Sequence, residues 1–424
     1  MMLCLQLFLP FAAGFFLSYV YRTANAVIAP LIGQELGFGD AALGLLTSTY
    51  FLAFSLAQLP VGILLDRYGP RRVESALLVV AAIGALIYGL AHDLATLALG
   101  RAIIGLGVSA CLMGPLKAFA IAYPKPQMAS MTGWIMAAGG LGAIVAAAPL
   151  EYVLALSNWR DVCLLGAAVT LLMAALIFFV VPDAPGAVPA AAAGGTLWQQ
   201  LTDLRQVFRS PAFWRFAPMA FLLTGGFQAL QGLWAARWIS VQAGGDKMAV
   251  ATQLSGMNLA VLTGMVCMGA FATRLVARGI RLESLYRWGM LAACLALGFM
   301  VMQPQSGSLW LWPLLGLCFS VNSLAYTLLS QSFAASFAGR ANSALNMVIL
   351  IGAFCLQWGL GGLIDLFAHG GLALPTAYQF SFGLLVAGQL VAWGCFALAK
   401  FPVIIEGEPV WVRMLGLRSV SGRL

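Results

Sequence analysis

The sequence predicts an all-helical membrane protein with about twelve transmembrane helices in two six-helix halves. Of its 424 residues, 62% are hydrophobic and 8% are charged, which leaves too little polar surface to cover a water-soluble domain. The apolar residues fall into runs long enough to cross a bilayer, since about 20 helical residues span the hydrocarbon layer. The basic residues gather between alternate runs, as in cytoplasmic loops.

The predicted helices divide at one polar break. In the first half they cover roughly 5–32, 41–65, 73–92, 94–121, 129–155 and 160–181, and in the second roughly 213–239, 251–277, 285–303, 308–335, 341–366 and 376–400. Residues 183–196 are rich in Ala, Gly and Pro and predict a flexible linker, and 198–209 predict an amphipathic surface helix. The predicted domains are therefore 1–182, a cytoplasmic linker 183–211, 212–400 and a cytoplasmic tail 401–424.

The distribution of charge predicts the orientation. With both termini in the cytoplasm, the inner side receives most of the arginines and lysines, and only Arg160, Arg237 and Lys247 fall near the outer side. The net charge of +8 therefore reflects the concentration of basic residues in cytoplasmic loops and does not indicate affinity for nucleic acid. The first run has no positive charge in residues 1–21 and is interpreted as a transmembrane helix, not a signal peptide. We expect a multi-pass, monomeric protein of a bacterial inner membrane.

A charged stretch, GILLDRYGPRR, joins the second and third predicted helices. It resembles the signature G-x-L-x-D-R-x-G-R-[RK] of the major facilitator superfamily, with Pro70 in place of one arginine. The resemblance implies two parallel six-helix halves and a conformational latch formed by Gly62, Asp66, Arg67, Gly69 and Arg71. An ordinary positively charged loop is the alternative. Gly269 to Arg274 weakly repeats the stretch in the second half, with Thr273 at the position of Asp66.

Three basic residues lie inside predicted helices, where a charge is a functional hypothesis by default. Arg22 shares a helix face with Ser18 and Asn25, and a guanidinium facing a central cavity can bind a carboxylate or phosphate through two hydrogen bonds. The alternatives for Arg22 are pairing with carbonyl groups and reaching outward to the interface. Lys117 either attracts anions or reaches the inner interface, and the sequence leaves open whether it lies in the cavity.

Arg101 begins the sequence RAIIGLG, which resembles the superfamily's helix 4 motif R-x-x-x-G-x-G. The resemblance implies either a part in proton coupling or interhelical hydrogen bonding. An arginine does not itself release a proton in a protein. Both interpretations therefore stay open.

The carboxylates are predicted at helix ends or in loops, with none deep in a helix and with Glu74 on the cytoplasmic side. A positive cavity favours an anionic or zwitterionic solute. The coupling candidates are Arg101, Glu151 and Asp365, of which Glu151 and Asp365 are the candidates for a titrating group, and the proton is the expected coupling ion.

The second half offers neutral polar side chains at helical spacing. In the superfamily helices 1, 4, 7 and 10 line the cavity, so the resemblance makes several of these side chains candidate solute contacts. Interhelical hydrogen bonding is the alternative for each. Together with the first half, the predicted solute-binding residues are Arg22, Asn25, Gln228, Gln231, Trp234, Asn322, Tyr326 and Gln357.

These observations predict a secondary transporter that moves a small organic anion or zwitterion by alternating access, as a proton symporter. The alternative is a proton-driven efflux antiporter for amphipathic compounds. The Gly-Pro junction that drug exporters of the superfamily carry in helix 5 is absent from residues 139–149. The eight cysteines are scattered singly, and we expect no metal site, no cofactor and no enzymatic activity.

Overall fold

The structure is a computed structural model that describes residues 2–122, 125–182, 205–242, 246–302, 311–333 and 335–399. Every regular element in these ranges is helical. The predicted linker and tail lie almost wholly outside them, although residues 205–209, at the end of the predicted surface helix, are helical.

Eight helices form the first half. They are α1 (Met2–Leu36), α2 (Asp40–Tyr68), α3 (Pro70–Leu90), α4 (Leu94–Gly107), α5 (Met113–Ala122), α6 (Lys125–Val145), α7 (Ala148–Leu156) and α8 (Trp159–Val180).

The second half opens with a continuous helical segment, residues 211–242. It consists of α9 (Pro211–Met219), α10 (Gly225–Ala229) and α11 (Ala235–Gln242), joined by π-helical turns at Ala220–Thr224 and Leu230–Trp234. The following elements are α12 (Lys247–Ala277), α13 (Leu282–Met302), α14 (Leu311–Phe319), a 3-10 turn (Ser320–Ser323), α15 (Leu324–Gln331), α16 (Ala335–His369) and α17 (Leu374–Leu398).

The described residues contain nine helices long and apolar enough to cross a membrane, or ten if the bent pair α6 and α7 is one span. The prediction of a multi-helix membrane bundle is confirmed at this level. The predictions of single helices over 94–121 and 129–155 are wrong, because each is divided in two, whereas 213–239 is one helical segment that contains two π-helical turns.

Local chemistry explains these interruptions. Turns at residues 108–112 separate α4 from α5, and Pro115 lies in the first turn of α5. A bend of 41° separates α6 from α7, where Pro149 occupies the first turn of α7. Proline lacks the N–H that a continuing helix needs. Non-helical backbone at membrane depth is tolerated where protein or a water-filled cavity surrounds it.

The connection between α2 and α3 shows why the charged signature has its composition. Gly69 has a φ of 80°, a backbone conformation that strains residues with a side chain. Pro70 is the first residue of α3, the position at which its missing N–H and fixed φ are favourable. The departure from the superfamily signature therefore suits the start of a helix.

Close packing of α2 against α16 joins the two halves. A Cβ atom built at Gly44 would lie 2.7 Å from the carbonyl oxygen of Gln357, and one built at Gly361 would lie 2.6 Å from the carbonyl oxygen of Asp40. Small residues allow helices in a membrane to approach closely, because packing and not hydrophobic burial drives their association. Toward the other end of α2, the Ser55 hydroxyl donates to the Met347 carbonyl at 3.4 Å.

Candidate functional site

Arg22 lies on α1 next to three aromatic rings. Its guanidinium carbon is 5.3 Å from the centroid of Tyr19, 5.6 Å from that of Phe51 and 5.9 Å from that of Phe54. The described part of the chain offers this guanidinium neither a hydrogen bond nor an ion pair. Such ring contacts stabilise a cation by about 0.5–2 kcal/mol, depending on desolvation. They leave its N–H groups available to a ligand.

A second unpaired polar group lies beside one of these rings. The Gln357 side chain, on α16, is fully buried, and its amide oxygen and nitrogen have no hydrogen-bond partner in the described chain. A Cβ atom built at Gly232 would lie 3.4 Å from the Gln357 Oε1 atom and 3.7 Å from the Phe51 ring. Arg22 and Gln357, from different halves, therefore approach the same ring.

Tyr326 extends this region into the second half. It lies on α15 within electrostatic range of Arg22 and Tyr19, and its hydroxyl donates to Asn346 Oδ1 at 3.1 Å. Gln228, between the two π-helical turns, has a buried Oε1 atom without a partner among the described residues. An unpaired buried polar atom costs about 1–3 kcal/mol. Both glutamines are therefore available for a solute.

The other predicted solute contacts have protein partners, although the buried Nδ2 atom of Asn25 has none among the described residues. Asn25 Oδ1 accepts from the Tyr88 hydroxyl at 3.3 Å, inside the first half. Asn322 Oδ1 accepts from the Thr224 hydroxyl at 2.7 Å.

Two more of the predicted contacts bond to other helices of the second half. Gln231 donates to Asn258 at 2.6 Å, and the Trp234 indole donates to the Gln357 carbonyl at 3.1 Å. Asn258 donates in turn to the Ala143 carbonyl of the first half at 3.2 Å. Gln231 is therefore linked to the first half through Asn258.

Arg101 is part of the packing of the first half. It is 4% exposed and donates to the Tyr21 carbonyl at 2.8 Å, with its guanidinium carbon 4.9 Å from the Tyr50 ring and 5.9 Å from the Tyr88 ring. One cation thereby connects α1, α2, α3 and α4. This geometry favours the structural interpretation of Arg101.

Ionic contacts close one end of the interface between the halves. Arg237, on α11, pairs with Asp40 at the start of α2, and the Tyr378 hydroxyl donates to the second oxygen of Asp40 at 3.0 Å. Asp365 Oδ2 accepts from the Ala41 amide at 2.8 Å. We call Asp40, Arg237, Asp365 and Tyr378 the outer cluster, after the side on which the orientation predicted from the sequence places them. Asp365, a candidate for proton coupling, therefore caps a helix of the opposite half.

The charged signature lies at the opposite end of α2. Gly62 has no atom within 4 Å of the place where a Cβ would stand. Arg67 lies 5.2 Å from the Tyr68 ring, and Arg71 donates to the Phe178 carbonyl at 2.7 Å. These contacts stay within the first half. The side chain of Asp66 lies outside the described residues.

Three further charged residues need separate comment. Glu151 is half-buried on α7 and Lys117 is half-buried on α5. Glu74 lies in the second turn of α3, near the end of that helix that is predicted to be cytoplasmic, but it is fully buried, which the sequence did not predict. Two glycines distant in sequence make room for it.

A sequence model of the Major Facilitator Superfamily matches residues 11–356. The chain belongs to this superfamily. It is a transporter, as are the relatives, and not an enzyme.

Curated relatives of this transporter are named for anionic solutes. A probable sulfoacetate transporter, SauU, of Cupriavidus necator is 25% identical over 40% of this chain and 40% of its own length. A probable L-galactonate transporter of Escherichia coli is 29% identical over 34% of this chain and 32% of its own. The matches thus span about a third to two fifths of these relatives.

Solved structures confirm the fold of this transporter. An inward-facing, unoccupied bacterial homologue of the human lysosomal transporter Spinster superimposes with a TM-score of 0.76 at 18% identity, over 92% of this chain and 96% of its own. A D-xylose-proton symporter gives 0.72 at 15% identity, over 93% and 97%. At such identity the likeness establishes the fold alone.

Proposed function

We propose that this transporter moves a small organic anion or zwitterion across the inner membrane by alternating access, in symport with protons. The observation that carries the proposal is the guanidinium of Arg22, which has no hydrogen bond or ion pair with the described residues and lies near the same Phe51 ring as the unpaired amide of Gln357.

The charge of Arg22 supports an anion. A charge inside a membrane costs at least about 2.5 kcal/mol, and the described carboxylates do not pair with this guanidinium. A solute carboxylate or sulfonate would supply the missing counter-charge through two parallel N–H···O hydrogen bonds. A cationic solute would meet repulsion at the same place.

Neutral neighbours would then orient the rest of the solute. Gln357 and Gln228 have unpaired amide atoms, and Tyr326 presents a hydroxyl within electrostatic range of Arg22. The remaining predicted contacts, Gln231, Trp234 and Asn322, have protein partners and would position these groups. Asn25 bonds to Tyr88 through Oδ1, while its buried Nδ2 atom has no partner among the described residues and is open to a solute. A hydroxylated or amidated organic anion fits this combination better than a purely apolar one.

The names of the relatives point to the same class of solute. Sulfoacetate and L-galactonate are organic anions, and other relatives are named as hexuronate and nitrate/nitrite transporters. Each matched region includes less than half of the relative, so their solutes serve as probes and not as assignments.

Alternating access follows from the uneven contacts along the interface. The outer cluster closes one end, whereas at the other end Arg67 lies against the Tyr68 ring and Arg71 donates to the Phe178 carbonyl, both within the first half. With cytoplasmic termini and a twelve-helix topology, the closed end faces outward. The structure would then represent an inward-facing state in a bacterial inner membrane.

Ligand-induced thermal stabilisation of the purified protein tests the solute class. The probes are sulfoacetate, L-galactonate, a hexuronate and nitrate, with a lipophilic cation as the opposite charge. At about 100 times its dissociation constant, a ligand stabilises the fold by about 2.7 kcal/mol. We expect an organic anion to stabilise the wild type and to lose its effect in Arg22→Ala.

Two further variants make the result specific. Arg22→Lys keeps the charge but loses bidentate geometry, and we expect it to retain weakened binding. Arg278→Ala removes an exposed arginine between α12 and α13 and should bind like the wild type. Stabilisation by the lipophilic cation alone, or equal anion binding by Arg22→Ala, would contradict the proposal.

A further inference from the structure

Glu74 is a fully buried carboxyl group without a counter-charge. It lies in the second turn of α3 and has no exposed surface. Neither of its carboxyl oxygens has a hydrogen-bond partner of standard geometry among the described residues. Isolating an ionised carboxylate in an apolar interior is so unfavourable that such a group is neutralised instead.

Two glycines make the space for this carboxyl. A Cβ atom built at Gly14, on α1, would lie 2.7 Å from Glu74 Oε1, and one built at Gly114, on α5, would overlap Oε2. The same Gly14 position lies 3.4 Å from the Ile177 side chain of α8 and 3.8 Å from Leu78 of α3. The site is therefore enclosed by four helices and walled by apolar groups.

The titratable groups around Glu74 are few. The Cys111 thiol, in the turn between α4 and α5, faces the carboxyl group. The α1 and α5 helices present glycines, α8 presents Ile177, and the described residues place no cation or second carboxylate in electrostatic contact with Glu74. Arg71, one turn earlier on α3, is directed to the Phe178 carbonyl.

The enclosure has one irregular wall. Residues 108–112 form successive turns between α4 and α5, and Cys111 lies within them. Its amide donates to the Val108 carbonyl at 3.2 Å, and that of Gly114 donates to the Ala110 carbonyl at 2.8 Å. A discontinuous helix is a natural hinge, because its turns absorb changes of backbone angle that a continuous helix resists. A movement here would bring water to Glu74.

We propose that Glu74 is the proton-binding site of this transporter, closed and protonated in the conformation described here and exchanging its proton when the 108–112 turns move. This inference rests on the proposed proton symport. It adds Glu74, which the sequence places on the cytoplasmic side, to the candidate coupling residues. Exchange requires no other reactant, since the carboxyl binds a proton from water and returns it to water.

A first experiment determines whether Glu74 carries a proton, and it needs no solute. Infrared spectra of the purified protein are recorded across a range of pH, and the carbonyl stretch of a protonated carboxylic acid is followed. We expect this band in the wild type at neutral pH and its loss in Glu74→Gln. Absence of the band from the wild type, or its persistence in Glu74→Gln, overturns the proposal.

The matched control is Glu283→Gln. Glu283 lies in the first turn of α13, the helix of the second half that corresponds to α3, but it pairs with Arg215 and is 43% exposed. Glu283 therefore differs from Glu74 in having both a counter-charge and contact with solvent. The control should therefore keep the wild-type infrared band.

A second experiment determines whether this proton is linked to conformational change. Spin labels at Ser157→Cys and Leu372→Cys, exposed positions of the two halves near the outer cluster, report the distance between the halves. The background lacks Cys4 and the exposed Cys267, Cys355 and Cys395. Because the closed form holds the proton, raising the pH should shift the population toward longer distances.

We expect this pH-dependent shift in the wild type and in Glu283→Gln. We expect no shift in Glu74→Gln, because its neutral side chain keeps the protein in the closed population at every pH. A wild-type distribution independent of pH, or an undiminished shift in Glu74→Gln, overturns the proposal. If Glu74→Gln does not fold, Glu74→Asp replaces it. We then expect the distance distribution to shift at a different pH from that of the wild type. Failure of anion transport would appear separately, in the binding experiments on Arg22, since neither experiment here contains an anion.

Discussion

The two ends of the interface between the halves are built differently. At the outer end, charged groups from α2, α11 and α16 make hydrogen bonds and an ion pair across the interface. At the signature, Arg67 lies against the Tyr68 ring and Arg71 donates to the Phe178 carbonyl, both contacts within the first half. This conformation is therefore held mainly by the outer end of the interface. Substitutions there should alter the populations of the two access states far more than substitutions at the signature.

Removing the central carboxylate of the outer cluster should have the largest effect. Asp40→Ala leaves Arg237 partly buried without its partner and removes the acceptor of the Tyr378 hydroxyl. Hydrogen bonds to charged groups contribute about 1.5–3 kcal/mol each, so we expect the outer-closed state to lose about 2–3 kcal/mol. Distances between labels at Ser157→Cys and Leu372→Cys should shift to a predominantly open population.

Glu35→Gln is the control for that change. Glu35 pairs with Arg160 and accepts from the Trp159 indole, so it lies near the same end but bonds within one half. This variant should lower thermal stability without changing the distance distribution. An open population in Glu35→Gln, or an unchanged one in Asp40→Ala, would show that the outer cluster does not hold the closed state.

One substitution placed at each end sharpens the comparison. Gly361→Ala places a methyl group against the Asp40 backbone, whereas Gly62→Ala meets open space. Overpacking costs about 1–3 kcal/mol, so Gly361→Ala should lower the thermal midpoint and increase the open population. Gly62→Ala should leave both measurements near wild type. Equal effects at the two ends would refute the difference in packing.

The smallest expected effect concerns Asp365, the carboxylate of α16 that accepts a hydrogen bond from the first turn of α2. Asp365→Asn keeps an oxygen that can accept from the Ala41 amide but removes the negative charge near a helix N-terminus. Such charge-dipole interactions contribute about 0.3–1 kcal/mol. We expect a slight increase in the open population by the same distance measurement. An effect as large as that of Asp40→Ala would mean that Asp365 has a further role, such as proton coupling.

The residues of the site differ in how far sequence could predict them. Arg22 can be identified as a candidate site residue from the sequence, because a charged residue in an apolar run is rare. Its positive guanidinium also restricts the ligand to one that carries negative charge. Gln357 was one of several polar residues at helical spacing, and only its unpaired amide distinguishes it from Asn322, which bonds to Thr224. The burial of Glu74 was not predicted, because the sequence shows its charged neighbours but does not show that Gly14 and Gly114 enclose it.

By itself, the sequence determined that this protein is a helical membrane transporter of the superfamily, because hydropathy over a helix length and the spacing of the signature are local properties of the chain. Tertiary structure decided which polar side chains are paired, which end of the interface is closed and which carboxyl group is buried. All three properties depend on contacts between helices that are far apart in sequence. A hydrogen bond from one helix, or the space left by a glycine on it, fixes the environment of a residue on another helix.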